Sequence, residues 1–166
     1  MSDELYRELL RQTYKLAAVS RDPSTQNAAK LIRLDSPWSV NLWNVNQFPA
    51  GVQELPERWE RPEKYSFIEH AERNVIYTAA RAGVKTDGLA MVCCWAACTD
   101  CARAIVQAGI KTLITHREGD NGTWGDSIRI ADDILKEGGV EVIVVAGKID
   151  DKNSTSVLRN GKEFYP

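Results

Sequence analysis

Apolar positions first recur at helical spacing. Leu5, Leu9, Leu10, Leu16 and Ala17 mark one face of a helix over residues 3–18. The run Ser20-Arg21-Asp22-Pro23 ends it, because proline disfavours helical backbone in the residue before it. Two extended stretches follow, residues 27–34 and 38–46, and the Asp35-Ser36-Pro37 turn between them predicts a hairpin. From residue 70 a rhythm repeats: a helical stretch closes on glycine and a short apolar run follows. The units are 70–82, Gly83 and 89–95; 99–108, Gly109 and 111–115; and about 126–137, Gly138 and 140–145. Leu89-Ala90-Met91-Val92 and Val142-Ile143-Val144-Val145 show no polar alternation, which predicts strands buried on both faces. Helix–strand alternation after a hairpin predicts a three-layer α/β/α fold. Its five-stranded mixed sheet has three parallel strands, the hairpin on one side, and helices on both faces.

Two segments stand outside this rhythm. Residues 47–67 carry Pro49, Pro56, Pro62 and Trp59; a loop of such length in a compact domain serves as a lid, a substrate loop or an interface. Residues 147–166 form a polar C-terminal tail with an Asn160-Gly161 turn, leaving a core of about 3–146 in a single domain spanning 1–166.

Charge and composition narrow the function. With 21 basic and 23 acidic residues well mixed, the chain lacks the footprint of a nucleic-acid polymer binder. It has no apolar run able to span a membrane, and Met-Ser-Asp-Glu-Leu lacks the layout of a signal peptide, so a cytoplasmic protein is expected. Gly119, Gly122 and Gly125 do not follow the dinucleotide-binding pattern. All four cysteines, Cys93, Cys94, Cys98 and Cys101, crowd together, whereas a disulfide scaffold spreads them along the chain. Cys93 and Cys94, inside an apolar strand, read as packing residues.

The other two cysteines carry chemistry. Cys98-Thr99-Asp100-Cys101 opens a predicted helix directly after a buried strand; helical pitch sets two such positions about 60° apart, and a helix N-terminus favours thiolates. His70-Ala71-Glu72 opens the preceding helix, and successive helix N-termini meet at one sheet edge, where open α/β sheets bind ligands. His70, Cys98 and Cys101 can therefore converge on one zinc ion and leave a fourth position for water, the catalytic arrangement. Glu72 is the candidate proton shuttle, although a regular helix would point it about 200° away from His70. Two other readings compete. A closed zinc site with His116, Cys93 or Cys94 as fourth ligand leaves Glu72 unexplained, and a redox Cys-x-x-Cys needs no histidine.

His-x-Glu followed by Cys-x-x-Cys is the signature of zinc nucleobase deaminases. The chain resembles the cytidine and deoxycytidylate deaminase superfamily from Ser20 to about Val145, most closely its deoxycytidylate branch. The resemblance rests on Ser20-Arg21-Asp22-Pro23-Ser24-Thr25-Gln26, Asn46-Gln47-Phe48-Pro49 and His70-Ala71-Glu72-Arg73-Asn74. It implies a cytidine-deaminase-like fold and one catalytic zinc per chain on His70, Cys98 and Cys101, with Glu72 as shuttle. It also implies that Asn46 holds the nucleoside, that the backbone at Ala71 meets the pyrimidine edge, and that a homo-oligomer forms.

Arg21, Arg73, Trp124 and His116 are further candidates for substrate contact. Ala97 stands where the family has proline, Asn27-Ala28-Ala29 replaces a Val-Gly-Ala stretch, Ala50 replaces a basic residue, and Trp43-Asn44-Val45-Asn46 replaces a motif tied to nucleotide regulation. The expected activity is conversion of dCMP to dUMP and ammonia. The alternatives are another cytosine base, nucleoside or modified nucleotide as substrate, or a non-catalytic zinc-bearing module.

Overall fold

The computed structural model describes residues 2–117, 125–150 and 154–166. Helix α1 (Asp3–Ala17) starts at Ser2, whose side chain accepts from the Leu5 amide, with Asp3 and Glu4 in its first turn. Strands β1 (Ala28–Ile32) and β2 (Leu42–Val45) pair antiparallel as the expected hairpin. The rest of the core alternates: α3 (Ala71–Ala82), β3 (Ala90–Cys93), α4 (Thr99–Gln107), β4 (Thr112–Arg117), α5 (Gly125–Glu137) and β5 (Glu141–Ala146). A short helix, α2 (Lys64–Phe67), precedes them. The described residues form one five-stranded sheet in the order β2-β1-β3-β4-β5, with β3, β4 and β5 parallel and β1 antiparallel to both neighbours.

Two cores cover the two faces. Leu9, Leu10, Tyr14 and Ala17 of α1 pack on Ala28, Ile32, Val92 and Ile114. On the other face Ala71, Val75, Ala102, Ile105, Ala131 and Leu135 from α3, α4 and α5 pack on Ala29, Leu31, Met91 and Leu113. β1 and β3 therefore contribute to both cores, as central strands of a three-layer domain do.

Three expectations change. Residues 142–145 do not make a strand buried on both faces: β5 ends the strand order, and Val144 is 44% exposed. An edge strand lacks a neighbour to shield it. The third helix closes on Gly139, at φ +71°, rather than on Gly138. Gly138 answers a different need, because a Cβ there would lie 2.5 Å from Val106 and would push α5 away from α4.

The tail is also more than polar trailing chain. Strands β6 (Val157–Arg159) and β7 (Lys162–Phe164) form a hairpin turned by Asn160 (φ +53°) and Gly161 (φ +75°). It docks on the segment before β1: Gln26 N–H donates to the Leu158 carbonyl at 2.9 Å, and Gly161 N–H to that of Ser24 at 2.7 Å.

The 47–67 segment holds a 3-10 turn, Pro56–Trp59, besides α2. It has an aromatic cluster of its own, Phe48 meeting Trp59 edge-on with ring centroids 4.5 Å apart. No helix among the described residues is long and apolar enough to cross a membrane.

Candidate active site and metal centre

Strand directions decide what meets. The amino end of β1, the carboxyl ends of β2, β3 and β4, and the amino ends of α3 and α4 all open on one edge of the sheet. That edge carries Asn27, Asn46, His70, Glu72, Cys98, Cys101 and Arg117, as parallel strand–helix units dictate.

His70 is the N-cap of α3, with extended backbone (φ −71°, ψ 148°), and not a residue of its first turn. This non-helical step removes the divergence that regular pitch imposes between His70 and Glu72. Cys98 caps α4 in the same way (φ −79°, ψ 172°), while Cys101 lies in the first turn. The two cysteines thus converge from an extended residue and a helical one, rather than from adjacent helical positions. Ala97, which stands where the family has proline, is buried directly before the Cys98 cap.

His70 Nδ1 lies 3.6 Å from Cys98 Sγ and 3.6 Å from Cys101 Sγ, and the three atoms fall within 4.8 Å of one another. Zinc bonds of about 2.3 Å to sulfur and 2.0–2.1 Å to nitrogen, meeting at the tetrahedral angle, place the two donors roughly 3.6 Å apart. The donor set and its spacing fit zinc. Among the described residues no fourth histidine, cysteine or carboxylate joins this group. His116 is held elsewhere, with Nδ1 2.7 Å from the Tyr14 hydroxyl and Nε2 2.9 Å from the Gly147 carbonyl oxygen. Three protein ligands leave a position open for water.

Charge is arranged around these ligands. The Cys101 thiol and then His70 hold the Cys98 thiol down to about 3, overcoming burial. Donation to Cys98, followed by burial, pushes the Cys101 thiol up, so binding of metal releases a proton there. Arg73, a candidate for substrate contact, sits instead behind the metal ligands: its guanidinium donates to Cys101 Sγ at 3.6 Å and pairs with Glu69. Burial raises the thiols of Cys93 and Cys94 well above the ordinary range, so neither is poised to ionise.

Glu72 is 2% exposed, and burial pushes its carboxyl up. Its Oε2 accepts from Asn27 Nδ2 at 3.2 Å. A carboxyl raised towards neutral pH in a dry site can both take and return a proton.

A cavity of about 120 Å³ joins this metal end to a basic rim. His70, Glu72 and Cys98 line one part; Arg61, Arg117 and Arg159 line another. Arg117 grips Asp132 through both terminal nitrogens, yet its Nε is buried with no hydrogen-bond partner among the described residues. Lys64, in α2, reaches under the cavity to Asp22 at 2.6 Å, where both side chains are almost fully buried.

The remaining candidates divide. Asn46 lines the cavity, but its Oδ1 accepts from the Ala71 amide at 2.9 Å. The N–H of the Ala71 backbone, the segment expected to meet a pyrimidine edge, is thus engaged within the protein, and Ala71 is outside the cavity wall. Arg21 is also outside the wall: its side chain is 74% exposed and pairs with Glu54 at 2.9 Å. Trp124 lies outside the described residues.

Asn27, Lys64, Arg117 and Arg159 were not among the site residues read from sequence. Arg117 follows a buried strand at the ligand-binding edge, and that position alone could have marked it. Arg159 carried no such signal, because its hairpin docks on residues about 130 positions away.

Residues 43–117 match the family model for the cytidine and deoxycytidylate deaminase zinc-binding region. An uncharacterized deaminase from the luxG 3' region of Aliivibrio fischeri is 32% identical over 125 residues, covering 74% of this chain and 81% of the relative. The deoxycytidylate deaminase of Enterobacteria phage T4 is 42% identical over 118 residues, covering 71% of this chain and 58% of the relative. Among solved structures, the dCMP deaminase from cyanophage S-TIM5 in complex with dCMP and dUMP superposes with a TM-score of 0.68. It is 26% identical, with 87% of this chain and 99% of that one covered. The matched region contains His70, Glu72, Cys98 and Cys101, and the chain belongs to the zinc-dependent cytidine and deoxycytidylate deaminase family.

Proposed function

We propose that the protein deaminates dCMP, using water to form dUMP and ammonia. One observation carries the choice of substrate: the cavity that reaches His70, Glu72 and Cys98 is also lined by Arg61, Arg117 and Arg159. A pyrimidine nucleoside monophosphate has matching parts, a neutral amidine at one end and a phosphate at the other. The buried Nε–H of Arg117, which has no hydrogen-bond partner among the described residues, supports an anionic partner at the rim, since such a donor costs free energy until it is bonded. The T4 relative, a deoxycytidylate deaminase, and the cyanophage enzyme, solved with dCMP and dUMP, support the same substrate.

His70, Cys98 and Cys101 hold the ion. Bound zinc supplies Lewis acidity that brings the pKa of water at its open position towards about 7. With the ion in place, Glu72 would take a proton from the attacking water and deliver it to N3 of cytosine as the water oxygen adds at C4. It would then pass the proton of the new C4 hydroxyl to the departing amine, so that ammonia leaves and the uracil carbonyl remains. Burial keeps this proton traffic out of bulk solvent. Asn46 and the basic rim hold the sugar and phosphate.

The test is ammonia release by the zinc-bearing protein from dCMP, deoxycytidine, cytosine and dCTP, followed by the absorbance change from cytosine to uracil. dCMP is expected to exceed deoxycytidine in kcat/KM by about tenfold or more. Equal values overturn the nucleotide assignment while leaving a deaminase. No ammonia from any of the four overturns the cytosine-deaminating reading itself.

A further inference from the structure

We infer that Asn27 is a positioning residue for Glu72, and that the Cys93 thiol fixes which way its amide points; the inference rests on Glu72 being the proton shuttle. Asn27 precedes β1, is 5% exposed and lines the cavity. The antiparallel register sets Ala29 opposite Cys93, so Asn27 is the diagonal neighbour of Cys93 on the same face of the sheet.

The side-chain bonds run in one direction. The Cys93 thiol donates to Asn27 Oδ1 at 3.6 Å, and Asn27 Nδ2 donates to Glu72 Oε2 at 3.2 Å. A buried amide can present either its oxygen or its nitrogen, and the wrong one would set two acceptors face to face. Cys93 removes that choice: buried in the apolar strand, its thiol stays protonated and faces Asn27 Oδ1 as a donor. Only the NH2 group is left for the carboxyl.

The backbone closes the loop. The Asn46 amide donates to the Asn27 carbonyl at 3.1 Å, and Asn46 Oδ1 accepts from the Ala71 amide at 2.9 Å, at the start of the helix that carries Glu72. Asn27 is thus held in register with α3 from both its backbone and its side chain. With Oε2 restrained, Oε1 is the oxygen that carries the proton, and the carboxyl is spared a search over rotamers at each turnover. A valine at this position would fill similar space and supply neither bond.

The test compares the zinc-bearing full chain with Asn27→Val, Cys93→Ala and Cys93→Ser, measuring zinc content, thermal midpoint, and kcat and KM for dCMP. Asn27→Val is expected to keep zinc and fold, to leave KM within about threefold, and to lower kcat roughly ten- to hundredfold, the effect of losing a hydrogen bond to a charged group. Cys93→Ala should lower kcat by a smaller factor, and Cys93→Ser, which keeps a donor, should restore it.

Wild-type kcat in Asn27→Val, or a loss confined to KM, overturns the inference. If Asn27→Val loses zinc, the cysteine pair decides: equal kcat in Cys93→Ala and Cys93→Ser overturns it. A crystal structure of the zinc-bearing wild type tests the geometry without turnover. Asn27 Nδ2 is expected within hydrogen-bond distance of Glu72 Oε2, and a separation beyond about 3.5 Å overturns the positioning role. If wild type deaminates none of the cytosine compounds while this contact is present, the failure lies with the proposed substrate and not with the contact.

Discussion

The metal end of the cavity and its basic rim are built differently. At the metal end, His70 and Cys98 cap helices whose positions follow from the sheet, and Glu72 and Cys101 sit in the first turns behind them. Apolar packing fixes those helices: Ala71, Val75, Ala102 and Ile105 are fully buried against β1, β3 and β4. The rim is assembled from the periphery, with Arg61 on the 47–67 segment, Arg117 at a strand end and Arg159 on the C-terminal hairpin. Under the proposed function, reaction chemistry is anchored in the packed core, and phosphate recognition falls to segments that can change without disturbing it.

Substitutions on the two sides should separate these roles. The largest effect is expected at Cys98→Ala, which should lose nearly all bound zinc together with about 3 kcal/mol or more of stability. Cys93→Ala should retain its zinc. Elemental analysis and thermal unfolding check both, and equal zinc loss would place Cys93 among the ligands. Next is Lys64→Met, which strips the buried Asp22 of its cation. Asp22 still accepts from the Ser24 and Thr25 amides, so a loss of about 2–3 kcal/mol in denaturant unfolding is expected, with zinc content unchanged. A change below about 0.5 kcal/mol would mean that the 47–67 segment is not anchored there.

Smaller effects belong to the rim. Arg117→Ala and Arg159→Ala should each raise KM for dCMP about tenfold while leaving deoxycytidine turnover near wild type. Arg21→Ala should change neither, because that side chain is exposed and paired with Glu54. If Arg21→Ala weakens dCMP binding and Arg117→Ala does not, the phosphate lies on the other side of the cavity mouth.

The same contrast explains what could be read without coordinates. His-x-Glu and Cys-x-x-Cys are short, local and placed at helix starts, so their convergence follows from helix–strand alternation alone. The three parallel strands with a hairpin on one side were legible for the same reason; their order in the sheet came with the structure. The exposure of β5 was not, because an apolar run looks alike in a central strand and at an edge. Asn27 stood out only as a departure from the family's Val-Gly-Ala stretch; its bond to Glu72 needs the register of β1 against β3. Arg73 shows the opposite limit. Its charge suggested phosphate, but its place one turn from Glu69 and beside Cys101 commits it to the metal end. The C-terminal hairpin has three-residue strands and a polar sequence, and its docking partners are distant in the chain.

The most direct measurement joins metal and proton transfer. Wild type and Glu72→Gln, each with its zinc content determined, are given dCMP, and ammonia is quantified against time. Gln matches Glu in shape but cannot shuttle a proton, so the variant should keep its zinc and release ammonia roughly a thousandfold more slowly. Equal rates of ammonia release from the two zinc-bearing proteins would contradict the assignment of Glu72 as the group that moves the proton.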